Sequence, residues 1–194
     1  MTTTWMIVGG VFFVLFLLYA MYAKSIRLRN QVLESLAAID VQLRKRHDLI
    51  PNLLKMAQKY LDHERALMEN VTALRTQAQA SYDRADPQAV GQHLAVEAQL
   101  SASTGRLFNM VHEAYPDMKS AEIMSTTQET FTEVESHIAA ARRFYNASVT
   151  DLNNFAQVQP MAAIAAMAGV FAFPYFEETN EAVRAPIDVN DHMT

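Results

Sequence analysis

The sequence predicts an all-α protein: an N-terminal transmembrane helix followed by an antiparallel four-helix bundle with long helices. The chain has 194 residues and is 51% hydrophobic, yet it contains only five glycines and six prolines. That is too few turn-forming residues for a multi-stranded β protein. An uncharged apolar run stands near the N-terminus, and apolar residues then recur at steps of three and four, as in amphipathic helices. The chain has no cysteine, which excludes disulfides, thiolate metal sites and cysteine nucleophiles.

The N-terminal run extends without a charge from Trp5 to Ala23. At about 1.5 Å per residue it covers roughly 28 Å, close to the ~30 Å hydrocarbon core of a bilayer. A cleaved signal peptide would have a positive start and a shorter run, whereas residues 1–4 are uncharged here. The sequence therefore predicts a transmembrane helix over 5–23, and a buried core helix is the alternative. Its expected interface residues are Trp5, Tyr19, Tyr22, Lys24, Arg27 and Arg29.

The charges of the chain are unevenly distributed. Residues 24–60 carry a net charge of +5, whereas residues 61–194 carry −10. Because Lys and Arg stay on the cytoplasmic side, the basic cluster after the run predicts an external N-terminus, residues 1–4, and a cytoplasmic bundle. A basic segment over 24–46 is also attracted to anionic lipids.

The bundle is predicted to occupy residues 24–159. Its first helix carries Leu28, Val32, Leu36, Ile39 and Leu43 on one face. A break is expected near 47–49, where Asp48 could cap a second helix and Pro51 would stand in its first turn. The alternative is one continuous helix kinked at the proline.

The remaining helices are expected to end near the other prolines. The second should end in 81–87, the third should run from about 88 to 114, and the fourth from about 120 to 157. The fourth has the most regular apolar spacing, which is typical of knobs-into-holes packing. Helices joined by short loops alternate in direction. This alternation would return residue 157 to the membrane, whereas a single rod through Pro51 would leave it far from the membrane.

A second apolar segment, 160–176, follows the bundle. The thirteen uncharged residues between Pro160 and Pro174 are too few to span a bilayer. The sequence leaves open whether this segment inserts at the membrane interface or is buried by protein, including between protomers. Its candidate contact residues are Ile164, Met167, Val170, Phe171, Phe173 and Phe176. The last residues, 177–194, are expected to form an acidic flexible tail.

No catalytic constellation is visible in the sequence. A di-iron bundle needs Glu-x-x-His pairs, and none of the six histidines has a Glu three residues before it. Glu133 and His137 could share a metal, but that spacing is more often a simple side-chain contact. We therefore expect no catalytic residue, no metal, no cofactor, no nucleic-acid partner and no enzymatic activity.

Three polar blocks are more specific than a helical core requires. They are residues 42–54 (QLRKRHDLIPNLL), 113–119 (EAYPDMK) and 142–153 (RRFYNASVTDLN). In these blocks the sequence resembles the LemA family of bacterial membrane-anchored proteins, whose pattern has a QLxRRxDLIPNL block, a YPxLK loop and a late ARRxYN helix. The resemblance extends over nearly the whole chain.

The resemblance implies a single-pass protein of the bacterial inner membrane, with no family catalytic residue to carry over. It also implies a possible partner, a membrane protease of the HtpX type. We expect a non-enzymatic, homo-oligomeric scaffold or adaptor that organises partners at the cytoplasmic face. The alternative is a membrane-remodelling or lipid-organising protein that uses residues 24–46 and 161–176.

The polar blocks also supply a candidate cluster. Its members could form a salt-bridge network that ties helix ends together, or a surface that recognises a partner. They are Arg44, Arg46, Asp48, Pro51, Asn52, Tyr115, Pro116, Asp117, Arg142, Tyr145 and Asn146.

Overall fold

The computed structural model of the protein describes residues 2–61, 64–114 and 122–177. Within them the chain forms five α-helices and no strand, which confirms the all-α class. The predicted loop residues Tyr115, Pro116 and Asp117 lie outside the described residues, and so does the tail after Glu177. The helices are α1 (Thr2–Tyr60), α2 (Arg65–Ala78), α3 (Pro87–Ala114), α4 (Glu122–Gln157) and α5 (Met161–Met167).

Helix α1 does not break at 47–49. It continues through Pro51 to Tyr60, so the predicted break is wrong and the alternative of one continuous helix is the one observed. A proline inside a helix cannot bond to the carbonyl four residues earlier, which here belongs to His47. That carbonyl instead accepts a hydrogen bond of 3.0 Å from the Arg75 Nε of α2. The orphaned acceptor is thereby satisfied, and the burial of Ile50 next to the proline holds the helix in place.

The chain divides into two compact units. The first contains residues 2–45, 82–92 and 132–176 and is built from α1, the start of α3, most of α4, and α5. Its core follows the predicted apolar faces of α1 and α4. The buried side chains there include Val32, Leu36, Ile39, Leu43, Val134, Ile138, Tyr145, Leu152 and Phe155.

The second unit contains the described parts of 46–81 and 93–131. It combines the end of α1 with α2, the rest of α3 and the start of α4. One apolar cluster fills its interior: Ile50, Leu53, Ala57, Val71, Leu74, Ala78, Leu100, Leu107 and Val111. The residues predicted to form the second helix are therefore divided between the end of α1 and α2, and both parts contribute side chains to this cluster.

Local sequence determines how the chain turns before α3 and after α5. Before α3, the Asp86 carboxylate accepts a hydrogen bond of 2.9 Å from the Gln88 amide, and Pro87 occupies the first helical position. After α5, Gly169 has a φ of +65°. The Gly169 amide donates to the Ala166 carbonyl (3.1 Å) and the Val170 amide to the Ala165 carbonyl (2.9 Å), which is a Schellman motif. This turn leads into residues 170–176, a segment that is neither helix nor strand and that we call the strap.

The end of α4 packs beside the start of the bundle part of α1. The Lys24 Nζ lies 5.7 Å from the centre of the Phe155 ring. A continuous helix through Pro51 was expected to leave this end of the chain far from the membrane, yet the end of α4 lies beside Lys24, directly after the uncharged run. The chain leaves α1 after Tyr60 instead of at residue 47, and α2 begins at Arg65.

Candidate functional site

The N-terminal part of α1 is bare, meaning that the rest of the described chain does not cover it. Residues 3–20 are all exposed, including Trp5, at 73%, and Tyr19. Within the described residues, this is the one helix long and apolar enough to cross a membrane by length and composition. Met21 is the first half-buried residue and Ser25 is the first buried one, so burial begins where the uncharged run ends, at Ala23. The predicted interface residues stand at this boundary: Tyr22, Lys24 and Arg27 are exposed, and Arg29 is half-buried.

A buried ion pair lies in the second unit. The Arg46 Nη2 of α1 lies 2.6 Å from the Glu97 Oε2 of α3, and the same nitrogen donates to the Glu97 carbonyl at 3.1 Å. The two side chains are 1% and 0% exposed. The His47 Nε2 lies 2.9 Å from Oε1 of the same carboxylate, and the His93 Nε2 lies 3.8 Å from it. The Glu97 carboxylate of α3 therefore holds α1 through Arg46 and His47, while His93 contacts it from within α3.

The charge state of Glu97 follows from these contacts. Burial alone would raise its pKa, because an ionised carboxylate loses its hydration. The hydrogen bond from His47 and the positive charge of Arg46 outweigh burial and hold the pKa of Glu97 below its ordinary value. Glu97 is therefore ionised at neutral pH, and His47 Nε2 must donate to it.

The other members of the first polar block point away from this ion pair. Arg44, Asp48 and Asn52 are exposed, and Pro51 is half-buried. The partner of Arg46 is thus Glu97 and not Asp48, which was expected to join a salt-bridge network. Of this block, only Arg46 and His47 contribute side chains to the buried cluster. Asp48 and Asn52 instead form part of an exposed polar face on the second unit.

The late polar block holds the strap against α4. The Asn153 side chain both donates to the Phe173 carbonyl and accepts from the Phe173 amide, each at 2.9 Å. Asn146 makes the same pair of bonds with Phe176, at 3.0 and 2.9 Å. The Tyr145 hydroxyl donates to the Pro174 carbonyl at 2.8 Å, and burial raises the pKa of Tyr145.

The spacing of these contacts matches the two backbones. Asn146 and Asn153 are seven residues apart, which is about 10.5 Å along one face of a helix. Phe173 and Phe176 are three residues apart, and a chain of that length can reach at most about 10 Å when fully extended. The Arg142 guanidinium also lies 5.5 Å from the centre of the Phe176 ring. Arg142, Tyr145 and Asn146 are therefore brought together, and what they bind is a segment of their own chain.

This arrangement corrects part of the prediction for 161–176. Val170, Phe173 and Phe176 are buried by their own unit, so they are unavailable for contact with lipid or with a second protomer. Asn146 and Asn153 of α4 satisfy the strap backbone, which sequence periodicity could not show. Ile164 is half-buried. Met167 and Phe171 stay exposed, at 87% and 62%.

A third polar cluster links α1 to the loop before α3. The Arg84 Nη2 lies 2.6 Å from the Asp40 Oδ2, and the Tyr82 hydroxyl donates to the same carboxylate at 3.0 Å. Burial and the negative charge of Asp40 raise the pKa of Tyr82, and the charge of Asp40 raises that of Arg84. These contacts hold Tyr82 and Arg84, in the loop before α3, against Asp40 of α1 within the first unit.

Sequence reasoning missed Glu97 and Asn153 as structural partners. Both were detectable in principle, since each interrupts an apolar stripe: Glu97 stands between Leu94 and Leu100, and Asn153 follows Leu152. A polar residue at an inward position needs a buried partner. The described residues contain no group of three or more His, Cys, Asp or Glu arranged to hold a metal. Glu133 and His137 are 3.5 Å apart on an exposed surface of α4.

These features define a class: an all-α protein with a bare apolar N-terminal helix that runs directly into a bundle closed by buried polar contacts. The model of the LemA family matches residues 35–190, which is most of the chain. The protein therefore belongs to the LemA family. A search of curated proteins finds no match to the chain.

Proposed function

We propose that the protein is a membrane-anchored, non-enzymatic scaffold or adaptor that organises partners at the cytoplasmic face of the bacterial inner membrane. The observation that carries the proposal is the continuity of α1, whose bare apolar residues 3–20 pass without a linker into the buried part of the first unit. A helix of this kind fixes the bundle to the membrane and limits its rotation relative to the bilayer.

The polar groups of the bundle support a structural role. Arg46 and His47 hold Glu97, Arg75 caps a carbonyl, and the two asparagines hold the strap. Each of these contacts stabilises packing, and none presents a nucleophile beside a base to an open cleft. Binding would then use exposed surface, above all the polar face of α1 that carries Asp48, Asn52 and Lys55.

A photo-crosslinking residue at position 52 tests the scaffold proposal. We expect the variant with the crosslinker in place of Asn52 to form discrete adducts in cells. The crosslinked partner would be either a second copy of the chain or a membrane protease of the HtpX type, the partner that the family suggests. The matched control is the same residue at Gln77, which is exposed on α2 of the same unit. Identical adduct patterns at both positions would contradict a dedicated recognition face.

The proposed orientation of the protein in the membrane, with its N-terminus outside and its bundle in the cytoplasm, is tested by introducing single cysteines, which the native chain lacks. We expect a cysteine at Thr3 to react with a membrane-impermeant thiol reagent in intact cells, and one at Glu34 to react only after lysis. Both positions are exposed, so burial does not confound the comparison. Reaction at Glu34 in intact cells would reverse the proposed topology.

A lipid-organising role is the second candidate, and one observation favours it: Met167 and Phe171 remain exposed although the strap beside them is buried. Deleting everything after Gln159 would be a poor test of this role. It would remove the strap, which bonds to Tyr145, Asn146 and Asn153 of α4, so that loss of packing and loss of lipid contact could not be separated.

A further inference from the structure

The chain from Val158 to Phe176 contains no charged residue, and its apolar side chains divide into two groups. Ala165 on α5 and the strap residues Val170 and Phe173 are buried in the first unit. Met167, at the end of α5, is 87% exposed, and Phe171, just after the Gly169 turn, is 62% exposed. Two large apolar side chains on either side of a rigid turn are therefore left without cover from their own chain.

Contacts at the end of α4 show which part of α1 lies near these two side chains. The Lys24 Nζ lies over the Phe155 ring, and Lys24 is the first charged residue after the bare part of α1. Helix α4 ends two residues after Phe155, and α5 begins at Met161. Since burial of α1 begins at Met21, the end of α4 lies beside the base of the anchor. The backbone of Phe173 is bonded to Asn153 at this same end of α4, and Phe171 stands two residues before Phe173, with Met167 on the other side of the Gly169 turn.

We propose that Met167 and Phe171 insert into the headgroup region of an anionic bilayer, giving the protein a second membrane contact beside α1. The proposal rests on the proposed insertion of residues 5–23. At that depth apolar side chains lose water without losing any polar partner. Lys24 and Arg27 are exposed at the same boundary, and they attract anionic lipids to it.

A lipid surface suits this patch better than a second protomer does. A stable protein interface buries about 800 Å² on each partner around a well-packed apolar centre. Here the exposed residues of α5 other than Met167 are the small Ala163 and Ala166, so α5 and the Gly169 turn together offer two large apolar side chains, Met167 and Phe171. A fluid bilayer accommodates two protruding side chains without a complementary surface.

Four single-cysteine variants of the full chain test the proposal: M167C, F171C, F16C and F144C. Each is labelled with a polarity-sensitive fluorophore and reconstituted into vesicles of phosphatidylcholine and phosphatidylglycerol that carry a spin-labelled quencher lipid. Phe16 reports the anchor. Phe144 is the matched control, since it is an aromatic residue 56% exposed in the same unit and lies on α4 about 16 Å before Phe155.

We expect blue-shifted emission and severalfold stronger lipid quenching at positions 16, 167 and 171 than at 144. Quenching at 167 and 171 should also rise with the fraction of phosphatidylglycerol. Quenching at 16 alone would overturn the second contact and leave the proposed anchor intact, whereas no quenching at 16 would defeat the anchor itself. A blue shift at 167 and 171 without quenching, increasing with the protein-to-lipid ratio, would show that a second copy covers the patch and would also overturn the proposal.

Discussion

Replacing Glu97 with alanine is expected to lower the free energy of unfolding by about 3–5 kcal/mol, the largest effect of any single change considered for this bundle. The substitution leaves the Arg46 guanidinium 1% exposed and without the carboxylate that its Nη2 contacts at 2.6 Å. It also removes the acceptor of His47. Urea titration of the full chain in detergent micelles, followed by the helical circular dichroism signal, measures this loss.

Two further variants separate the buried charge from the removal of side-chain volume. The double variant R46M/E97L replaces the pair with apolar side chains of similar size, so it should recover the part of the loss in E97A that comes from the uncompensated Arg46 charge, although His47 still lacks its acceptor. E133A removes an exposed partner of His137 and should change the stability by about 0.5 kcal/mol or less. Equal losses in E97A and E133A, or no recovery in the double variant, would contradict the account of Glu97 as the buried counter-ion.

The apolar faces of the helices could be predicted from the sequence because helical periodicity is local. Val32, Leu36, Ile39 and Leu43 recur at steps of four and three, and all four are buried. The start of α3 could be predicted from equally local information, since an aspartate before a proline at the first helical position is a strong signal for a helix start. Such features need no knowledge of which other helix is near.

The continuity of α1 could not be predicted, because it depends on a partner distant in sequence. Pro51 by itself favours a break, and the hydrogen bond that compensates for it comes from Arg75, 28 residues away from the acceptor His47. The strap is a similar case. Its uncharged composition suits lipid, another protomer or its own bundle equally well, and the choice is made by two asparagines on α4 that pair with its backbone.

Replacing Asn153 with alanine is expected to destabilise the docked strap by about 2–4 kcal/mol. The change leaves the amide and the carbonyl of Phe173 without partners in a site where Asn153 itself is only 7% exposed. Each unsatisfied buried group costs about 1–3 kcal/mol. Hydrogen–deuterium exchange of the full chain, read on a peptide covering residues 170–176, should show faster exchange at Phe173 by roughly 30- to 700-fold, which is the same free energy expressed as an equilibrium constant.

The destabilisation caused by N153A should be confined to the strap, because the strap can leave α4 without unfolding the helices. Releasing it avoids the cost of unsatisfied groups but uncovers Val170, Phe173 and Phe176, so exchange should rise along the whole strap while α2 keeps its protection. N154A is the matched control, since Asn154 is the neighbouring residue and is exposed. N146A should have a smaller effect than N153A, because Asn146 is only half-buried and water can replace its side chain. If N153A and N154A exchanged alike, the backbone of Phe173 would not depend on Asn153, and the strap would have to be held by its apolar side chains alone.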